Sequence, residues 1–555
     1  MFLMKKKKLF TISAIAATSI ALGGCSLSSF LEALESLTAD GPTIDSARGD
    51  AGADLSYIQE GENFRAVETD YIYEDINDSN KNFPLGSLRE QKILVIPVAI
   101  NGFQSVATEA NREKIEKAFF GKASDTEWQS VKSFYEKSSY GALKINGTVS
   151  KWYQSGLSPN DILNQRVKAG ADHASSFDPT WNILEDAIAW YKQEYNTNLS
   201  DYDNDKDGFI DGVWLIYGCP DAKTDPSYSQ KVFWAYNYKD YSQIEKASLL
   251  SPVSFSYCWA SWDFMNTGYG SNKIDAHTYI HETGHLLGLD DYYVADRVTG
   301  EENYGPMGGL DMMDMNIIDH NAWSKFALGW TRPYVVSGST TITLNPSATT
   351  GQAIILPTSK GWHDNAFDEY IMMEFYTPDA LNYKDSAEGY STYPKGFTES
   401  GVRIYHVDAR MAVVKGSLGK AQYSNDLTPS QRDYALIPQS NSSAYNKKNR
   451  DNYFVSGYLP ENFLKYRLIQ EMDAKLKRNF DTEKQVIQGQ TMGAFASNSS
   501  LFKPGDTFDF VTYKQSFPNY VNGSQMTMNN GGTLPWRVTF SELTDTSITV
   551  SIQKI

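Results

Sequence analysis

The sequence predicts an α+β fold, and three features of the chain lead to this class. An apolar run at residues 92–100 (KILVIPVAI) is typical of a buried strand, and helical patterns follow it. A helical pattern at residues 274–287 ends at Gly288. After about Pro333 the chain consists of short strand patterns separated by Gly, Pro, Asn and Asp. We therefore expect a mixed twisted sheet with helices, followed by β-rich C-terminal domains.

The predicted elements follow from hydrophobic periodicity along the chain. Helical patterns predict helices at residues 111–120, 125–136, 179–195, 274–287, 321–328 and 461–477. Alternating or continuous apolar runs predict strands at residues 92–100, 143–153, 212–217, 232–238, 253–259, 340–344, 353–356, 370–375, 402–407, 536–540 and 547–552. The helix at 461–477 is predicted because Leu468, Met472 and Leu476 recur every four residues.

The composition excludes several classes of protein. The 555 residues are 41% hydrophobic and 21% charged, which argues against a disordered, collagen-like or polytopic membrane protein. The formal net charge of −17 argues against a nucleic-acid partner, because phosphates need Lys and Arg. The same acidic balance suits sites for hard cations.

Changes in composition and hydrophobic pattern along the chain predict five segments. The first two are a signal peptide at 1–24 and a spacer or propeptide-like segment at 25–87. A domain at 88–335 contains the mixed sheet and a histidine-bearing helix. The β-rich part divides into an extension at 336–480, with polar loops and a helix, and a C-terminal module at 481–555.

The N-terminus has the pattern of an export signal. Residues 5–8 are lysines, residues 9–22 form an apolar run too short for a stable transmembrane helix, and Cys25 follows small residues. This arrangement resembles the lipobox of bacterial lipoproteins. The resemblance implies a diacylglycerol on Cys25 that tethers the chain at the cell surface, on the outer face of the cytoplasmic membrane. An ordinary signal peptide with a cysteine at this position is the alternative.

The other two cysteines, Cys219 and Cys258, each lie in or beside an aromatic, strand-like run. Outside the cytoplasm such a pair can form a disulfide. Two buried thiols are the alternative, because only the geometry of the pair decides between them.

The most informative segment begins with the residues HETGH. Positions four apart on a helix face the same way, so His281 and His285 can direct both imidazoles at one metal ion. Zinc binds neutral imidazole nitrogens, and catalytic zinc sites supply three protein ligands. Glu282 is one residue further along and flanks the metal, where it can take a proton from an activated water. Chance alone would produce His-acid-x-x-His about 0.01 times in a chain of this composition.

The turn after the helix can supply the third ligand. Gly288 can end the helix in the left-handed conformation, after which Asp291 can return an oxygen to the metal. Asp290 competes with Asp291, and spacing alone does not separate the two. The helical rise puts His277 and His285 about 12 Å apart, so they cannot share one zinc. We expect His277 to be a packed or hydrogen-bonded histidine.

The pattern HExxHxxGxxD resembles the metzincin metallopeptidases, and most closely the immune inhibitor A family of bacterial secreted zinc proteases. The resemblance covers about residues 90–335. It implies a metzincin-like zinc peptidase domain in which Asp291, three residues after the glycine, is the third zinc ligand. The β-rich extension that often follows in this family resembles the later strands at 370–375 and 401–408.

Residues 308–313 (GGLDMM) resemble the family's Met-turn, and we call them the Met-turn segment. The family pattern puts the methionine beneath the zinc at Met313. Leu310 stands where an aromatic residue is usual, and Met307 and Met312 lie nearby. The alternative is that these methionines are core residues that fill gaps.

An acidic loop (DYDNDKDGFID) precedes the predicted strand at 212–217, and it predicts a calcium site. Calcium takes six to eight oxygens, and the loop offers carboxylates at alternate positions around a glycine. The expected ligands, at loop positions 1, 3, 5, 7 and 9, are Asp203, Asp205, Asp207, the carbonyl of Phe209, and Asp211. Trp214 stands at position 12, so the bidentate glutamate of a standard EF-hand is missing. The immune inhibitor A family has a similar loop; an acidic turn without a fixed ion is the alternative.

Together these features predict a surface-anchored bacterial zinc metalloendopeptidase. Its partners would be a protein or peptide substrate and, through Cys25, the membrane; its cofactors would be Zn²⁺ and a structural Ca²⁺. One alternative is an inert surface adhesin or binding scaffold that retains the fold, with binding carried out by the β-rich half. The other is a zinc hydrolase of a different bond, such as a glycan deacetylase, which the glycine and aspartate of the motif disfavour.

Overall fold

The computed structural model describes residues 57–79, 84–168, 180–220, 234–267, 273–293, 306–389, 393–415, 422–424, 434–438, 440–441, 466–479, 484–487, 490–493, 495–517 and 527–555. The predicted signal peptide and the predicted lipidation site Cys25 lie outside these residues, as do positions 232–233 of a predicted strand. The described chain is mixed α/β with several sheets, in agreement with the α+β class. The predicted domain boundaries stay predictions.

The described strands are numbered in chain order. They are β1 Phe64–Ala66, β2 Arg89–Ala99, β3 Leu143–Val149, β4 Tyr153–Gln154, β5 Phe209–Ile210, β6 Val213–Tyr217, β7 Tyr236–Lys239, β8 Val253–Ser254, β9 Ser256–Ser261, β10 Tyr334–Val336, β11 Thr340–Leu344, β12 Ala353–Pro357, β13 Glu369–Tyr376, β14 Gly401–Asp408, β15 Met411–Lys415, β16 Gln422–Ser424, β17 Tyr434–Ile437, β18 Ile469–Asp473, β19 Arg478–Asn479, β20 Lys484–Ile487, β21 Gln490–Gly493, β22 Thr507–Asp509, β23 Trp536–Ser541 and β24 Ile548–Lys554.

The described α-helices are numbered in the same way. They are α1 Tyr73–Ser79, α2 Glu109–Phe120, α3 Val131–Ser138, α4 Pro159–Lys168, α5 Thr180–Glu194, α6 Phe264–Thr267, α7 His277–Leu286, α8 Met312–Met315, α9 Ala322–Ala327, α10 Ser347–Thr350 and α11 Tyr383–Ala387. Among the described residues, no helix combines the length and the apolar character needed to cross a membrane.

The first sheet has the strand order β3-β2-β6-β9-β7, and β4 also pairs with β2. The strands β2, β3, β4, β6 and β9 run parallel, whereas β7 is antiparallel to β9 and forms an edge. Parallel strands are covered on both faces and read as continuous apolar runs. This explains why all of β6 and seven consecutive residues of β2 are buried. Apolar residues of α5 pack in the same core as β2 and β6.

The second half is a sandwich of two sheets. A seven-stranded sheet has the order β1-β10-β12-β13-β14-β18-β19, and a four-stranded sheet has the order β11-β24-β23-β22. Burial alternates along β23 and for most of β24, so one face of the smaller sheet meets the core and the other meets solvent. One hydrophobic core contains side chains of both sheets, including Phe375, Ile404, Val538 and Val550.

Most of the predicted elements are found, with boundary shifts that have local causes. The predicted strand at 340–344 is β11, and the predicted helix at 111–120 is α2 with two more residues at its start. The predicted helix at 125–136 begins only at Val131, because Ser130 and Ser133 form reciprocal side chain-to-backbone caps there. The predicted strand or hairpin at 143–153 consists of β3 and β4, which both run parallel to β2.

The predicted helix at 461–477 is wrong where the structure describes it. Residues 461–465 lie outside the described chain, and β18 replaces the helix over Ile469–Asp473. A spacing of four is also a multiple of two, so Leu468 and Met472 satisfy strand alternation as well as a helical stripe. Tertiary context decides in favour of the strand, because β18 pairs antiparallel with β14 and all five of its residues are buried.

The described residues 57–79 and 84–88 contact both parts of the described fold. β1 extends the seven-stranded sheet by pairing antiparallel with β10. The backbone N–H of Leu85 donates to the carbonyl of Leu286 at 2.9 Å, at the end of α7. Ser87 donates its hydroxyl to Leu328, and its carbonyl accepts from the indole of Trp330 at 2.7 Å.

Candidate metal centre

Helix α7 carries three of the predicted centre residues. It ends at Leu286, and Gly288 follows with φ of 98°. Only glycine adopts this region without a steric cost, so the chain can reverse there as predicted. Every residue of α7 except His285 is buried, so the helix lies inside the protein.

The structure brings His281, His285 and Asp291 together. The Oδ1 atom of Asp291 lies 3.1 Å from Nε2 of His281 and 3.3 Å from Nε2 of His285. The two imidazole rings are nearly perpendicular, and their centroids are 4.9 Å apart. Asp290 is outside this group, and its carboxylate accepts a hydrogen bond from the backbone N–H of Asp291 at 2.9 Å. The geometry therefore separates the two aspartates that spacing alone could not.

A backbone carbonyl holds the other nitrogen of each imidazole. Nδ1 of His281 lies 2.7 Å from the oxygen of Met312, and Nδ1 of His285 lies 2.8 Å from the oxygen of Leu289. A carbonyl oxygen only accepts hydrogen bonds, so each Nδ1 carries a proton and Nε2 is the ring nitrogen that faces Asp291. Hydrogen bonds of this kind set the tautomer and orientation of metal-binding histidines.

The donor set fits zinc. Two imidazole nitrogens and one carboxylate oxygen all offer electron pairs, and a cation is what such a group binds. Tetrahedral ligands about 2.0–2.1 Å from zinc lie about 3.4 Å from one another. The two distances from Asp291 to the imidazoles, 3.1 and 3.3 Å, are close to this value.

The electrostatics of the group call for positive charge. Burial lowers the pKa of His285, but the carboxylate of Asp291 outweighs burial and raises that pKa to about 10. Burial likewise raises the pKa of Asp291, but His285 and His281 outweigh it and hold that pKa below its usual value. The carboxylate of Asp291 therefore favours a positive charge beside it, either a protonated His285 or a metal cation, and metal binding displaces the proton.

Glu282 lies beside the group and is 7% exposed. Burial raises the pKa of its carboxyl group, while the positive charges of His285 and His281 oppose that rise. A carboxylate with a raised pKa takes up a proton more readily, which is the property that a general base needs.

The Met-turn segment packs beneath α7. A Cβ atom added at Gly284 would lie 2.6 Å from the sulfur of Met313 and 3.3 Å from the hydroxyl of Tyr135. Met313 therefore contacts the helix between His281 and His285. The carboxylate of Asp311 accepts from the backbone N–H of Met313 at 2.8 Å, which begins the short helix α8.

His277 is held away from the centre, as expected of a packed, hydrogen-bonded histidine. Its Nδ1 lies 2.7 Å from Asp275, and its Nε2 lies 3.2 Å from Asp385. Its ring stacks on Trp128 with centroids 4.2 Å apart and planes 8° apart. Burial lowers the pKa of His277, but Asp385 and Asp275 outweigh burial and raise it to about 9.

The acidic loop forms a second cluster of acidic groups. Ligand atoms of Asp203, Asp205, Asp207 and Asp211 all lie within 4.8 Å of one another. Backbone N–H groups orient several of these carboxylates; for example, Asp207 donates to Asp203 at 3.0 Å. Burial and the charge of Asp205 raise the pKa of Asp207 to about 7. The predicted ligand Phe209 begins β5, and its N–H donates to Asp207 at 2.8 Å.

One buried oxygen atom of this cluster favours the binding of a cation. The Oδ1 atom of Asp211 is buried and has no hydrogen-bond partner among the described residues, while Oδ2 accepts from the N–H of Asn204 at 2.5 Å. Burial and the charge of Asp205 raise the pKa of Asp211. A buried carboxylate oxygen without a donor is costly, and a hard cation would satisfy it.

Cys219 and Cys258 are both buried thiols rather than halves of a disulfide. The thiol of Cys258 lies 3.2 Å from the carbonyl oxygen of Glu282, so it supports α7.

Sequence reasoning missed the groups that orient the centre. The carbonyls of Met312 and Leu289 carry no side-chain signal, because any residue could supply them. Tyr293 also faces the group: burial, then the charges of Asp291 and Glu282, raise the pKa of its phenol. Only its position in the acidic-aromatic run that follows the motif could have indicated it.

Comparisons with known proteins give a distant relation. No known protein-family profile matches the chain. Immune inhibitor A of Bacillus thuringiensis subsp. alesti is 23% identical over 249 residues, which cover 38% of this chain and 34% of that protein. The chain thus matches about a third of the length of this curated relative. The match supports a distant relation to that metalloprotease family.

Proposed function

We propose that this protein is a zinc metalloendopeptidase, anchored through a lipid on Cys25 to the outer face of the bacterial cytoplasmic membrane. The convergence of His281, His285 and Asp291 beside the buried Glu282 is the observation that carries the proposal. The distant relation to Immune inhibitor A supports the peptidase class. The basic and apolar segments before Cys25 support an exported, surface-tethered protein.

The proposed chemistry is hydrolysis of a peptide bond. Zinc, when bound, supplies Lewis acidity that polarises the scissile carbonyl and acidifies water. His281, His285 and Asp291 would hold the ion. Glu282 accepts the proton of the attacking water and then delivers it to the leaving amine. A carboxylate with a raised pKa accepts a proton from water more readily and can still release that proton to the leaving amine. The raised pKa of Glu282 therefore suits both transfers.

The proposed domain is metzincin-like. The mixed sheet with α7 beside it, the glycine-ended helix and Met313 beneath Gly284 support this assignment. Strand β7 lies next to α7 at the edge of the sheet, and in the described chain no strand pairs with its outer side. An extended peptide can add to such an edge through main-chain hydrogen bonds. We propose β7 as the strand that holds the substrate.

We also propose that the acidic loop binds calcium and braces the first sheet. The four clustered carboxylates and the unsatisfied Oδ1 atom of Asp211 support this assignment. The loop leads directly into β6, and the carbonyl of Gly208 accepts N–H groups from Ser248 and Val253. A cation there would lower the repulsion among the carboxylates and hold these connections together.

Metal content and a peptide digest test the proposed function. The soluble chain from residue 26 should contain one zinc, and His281→Ala should lose it. His363→Ala is the matched control, because His363 pairs with Asp368 at 2.7 Å outside the centre. Glu282→Gln should keep zinc and lower kcat by about 10²- to 10⁴-fold, the usual contribution of a general base. Identical peptide-library digests from wild type and Glu282→Gln would refute the enzyme and leave the inert scaffold.

A further inference from the structure

We propose that Arg403 and Glu471, which lie in strands β14 and β18 of the second half, are positioning residues that hold the Met-turn segment against the metal centre. The inference rests on the proposed function, because it concerns the support of the same zinc site. It assigns to the β-rich half a role in metal binding, which the separate domains predicted from sequence do not suggest.

The two side chains form a buried, bidentate ion pair. Nε of Arg403 donates to Oε1 of Glu471 at 3.0 Å, and Nη2 donates to Oε2 at 2.7 Å. Both side chains are 2% exposed. The guanidinium also lies over the rings of Tyr405 and Phe397, at 5.2 and 5.6 Å from their centroids. The planar head of Arg403 is therefore held in one orientation.

Both members of the pair contact the backbone in or just before the Met-turn segment. Nη2 of Arg403 donates to the carbonyl oxygen of Leu310 at 2.7 Å. The backbone N–H of Glu471 donates to the carbonyl oxygen of Pro306 at 2.7 Å. These contacts join residues that are 93 and 165 positions apart in the chain. Strands β14 and β18 thus fix the backbone at one carbonyl within the Met-turn segment and at another two residues before it.

The fixed carbonyl of Leu310 is two residues from the carbonyl that orients a proposed zinc ligand. Asp311 follows Leu310 and caps the N–H of Met313 at 2.8 Å. Between them, the oxygen of Met312 receives the Nδ1–H of His281 at 2.7 Å. A shift of Leu310 would displace the Met312 oxygen, because only Asp311 separates the two residues and its cap on Met313 holds this short stretch as the start of α8. Arg403 therefore acts on His281 through the backbone.

Stability alone does not account for a charged pair at this place. Replacing a buried ion pair by apolar residues of similar volume is often neutral or stabilising. Arginine offers five N–H donors in a rigid fork, so it can serve Glu471 and Leu310 at once. An apolar residue would leave the Leu310 carbonyl without this donor. The pair of Arg403 and Glu471 therefore suits a role in holding the Met-turn segment in one position.

A second arginine on the same strand connection provides a matched control. Arg410 follows β14 and pairs with Asp408, with Nε to Oδ1 at 2.7 Å and Nη2 to Oδ2 at 2.9 Å. Both side chains are at least 93% buried. Asp408 of this pair also accepts from the side-chain amide of Asn529 at 2.8 Å, and the guanidinium of Arg410 lies over the ring of Tyr466. Loss of the Arg410 fork should thus cost stability without reaching His281.

The test measures metal affinity rather than activity. Arg403→Lys keeps the charge but loses the fork, and Glu471→Gln keeps the size but loses the charge. Zinc dissociation constants would be measured by competition with a chromophoric chelator, on the full soluble chain with its folded fraction checked by circular dichroism. We expect both variants to bind zinc about tenfold more weakly, as loss of an indirect support does. Arg410→Lys should retain wild-type affinity.

Cobalt substitution gives a second readout that general destabilisation would not change. The visible absorption bands of bound Co²⁺ report ligand geometry, so they should shift in Arg403→Lys and not in Arg410→Lys. Unchanged zinc affinity and cobalt spectra in both Arg403→Lys and Glu471→Gln would overturn this inference alone, if wild type binds zinc. Equal losses in Arg403→Lys and Arg410→Lys would also overturn it. A wild-type chain that binds no zinc would overturn the proposed function as well.

Discussion

The Nδ1 atom of His281 lies 2.7 Å from the carbonyl oxygen of Met312, so the helix and the Met-turn segment meet through one hydrogen bond at the proposed zinc ligand. The next carbonyl, that of Met313, accepts the backbone N–H of Tyr292 at 2.8 Å. Tyr292 directly follows Asp291. Two successive carbonyls of one short helix therefore hold His281 and the backbone next to Asp291.

The contact between Gly284 and Met313 predicts that Gly284→Ala lowers stability when residue 313 is methionine and raises it when residue 313 is alanine. Gly284→Ala should destabilise the wild-type chain by about 1 kcal/mol or more, because overpacking of the sulfur 2.6 Å away exceeds the gain in helix propensity. In a Met313→Ala background the same change should stabilise by up to about 1 kcal/mol. Urea unfolding of the four variants measures the coupling. Additive effects would contradict the packing described here.

The acidic loop predicts that calcium raises thermal stability. Free calcium at about 100 times its dissociation constant should add about 2.7 kcal/mol, and chelation should lower Tm accordingly. Asp211→Asn should abolish this response, because it removes the charge of the buried, unsatisfied carboxylate. Asp201→Asn is the control. The side chain of Asp201 is 80% exposed, and its ion pair with Lys92 is long, at 3.9 Å. Scanning calorimetry with and without calcium would decide, and equal Tm values in wild type would count against the site.

The pKa of His277 predicts a pH dependence of stability. Its folded pKa is about 9, and the ordinary value is 6.5. The imidazolium therefore stabilises the fold fully below about pH 6.5, and this contribution is lost as the pH rises through about 9. Each pKa unit corresponds to about 1.4 kcal/mol. The unfolding free energy of wild type should fall across this window more steeply than that of His277→Gln, and parallel profiles would refute the charged state.

The buried pair of Lys325 and Asp319 predicts a large loss of stability. Nζ of Lys325 lies 2.6 Å from Asp319 and 2.8 Å from the hydroxyl of Tyr140. Lys325→Met should cost about 3–5 kcal/mol, because it leaves a buried carboxylate without its counter-charge. Asp319→Asn in the same chain should recover part of that loss. Urea unfolding measures both changes.

The surface provides the comparison for that experiment. Lys151→Met breaks an ion pair with Glu194 in which the lysine side chain is 69% exposed. Its cost should be at most about 1 kcal/mol, since exposed pairs are weak. Equal costs for Lys151→Met and Lys325→Met would show that burial of the second pair has no energetic effect.

Local patterns predicted a large part of the fold and of the centre. Continuous apolar runs marked β2 and β6, because strands of a parallel sheet are buried on both faces. The i, i+4 spacing placed His281 and His285 on one face of a helix, and Gly288 marked its end. These features depend on neighbours within a few residues, which is the range over which periodicity is informative.

Other features depended on residues that are distant in the chain, so the sequence alone could not predict them. The pattern at 461–477 fits two periods, and only pairing with β14 selects the strand β18. The choice of Asp291 over Asp290 depends on how the chain turns after Gly288 toward the imidazoles. Whether Cys219 and Cys258 join also depended on where the first sheet put them.

The sequence by itself determined the chemistry of the centre: two imidazoles one helical turn apart, a carboxylate next to the first, and an acid after a glycine-made bend. It could do so because residue type and short spacing carry that information directly. The tertiary structure alone decided which carbonyls orient the rings, and that a fork from Arg403 reaches the turn beneath them. Backbone acceptors are the same at every residue, so their use depends on which distant segments pack together.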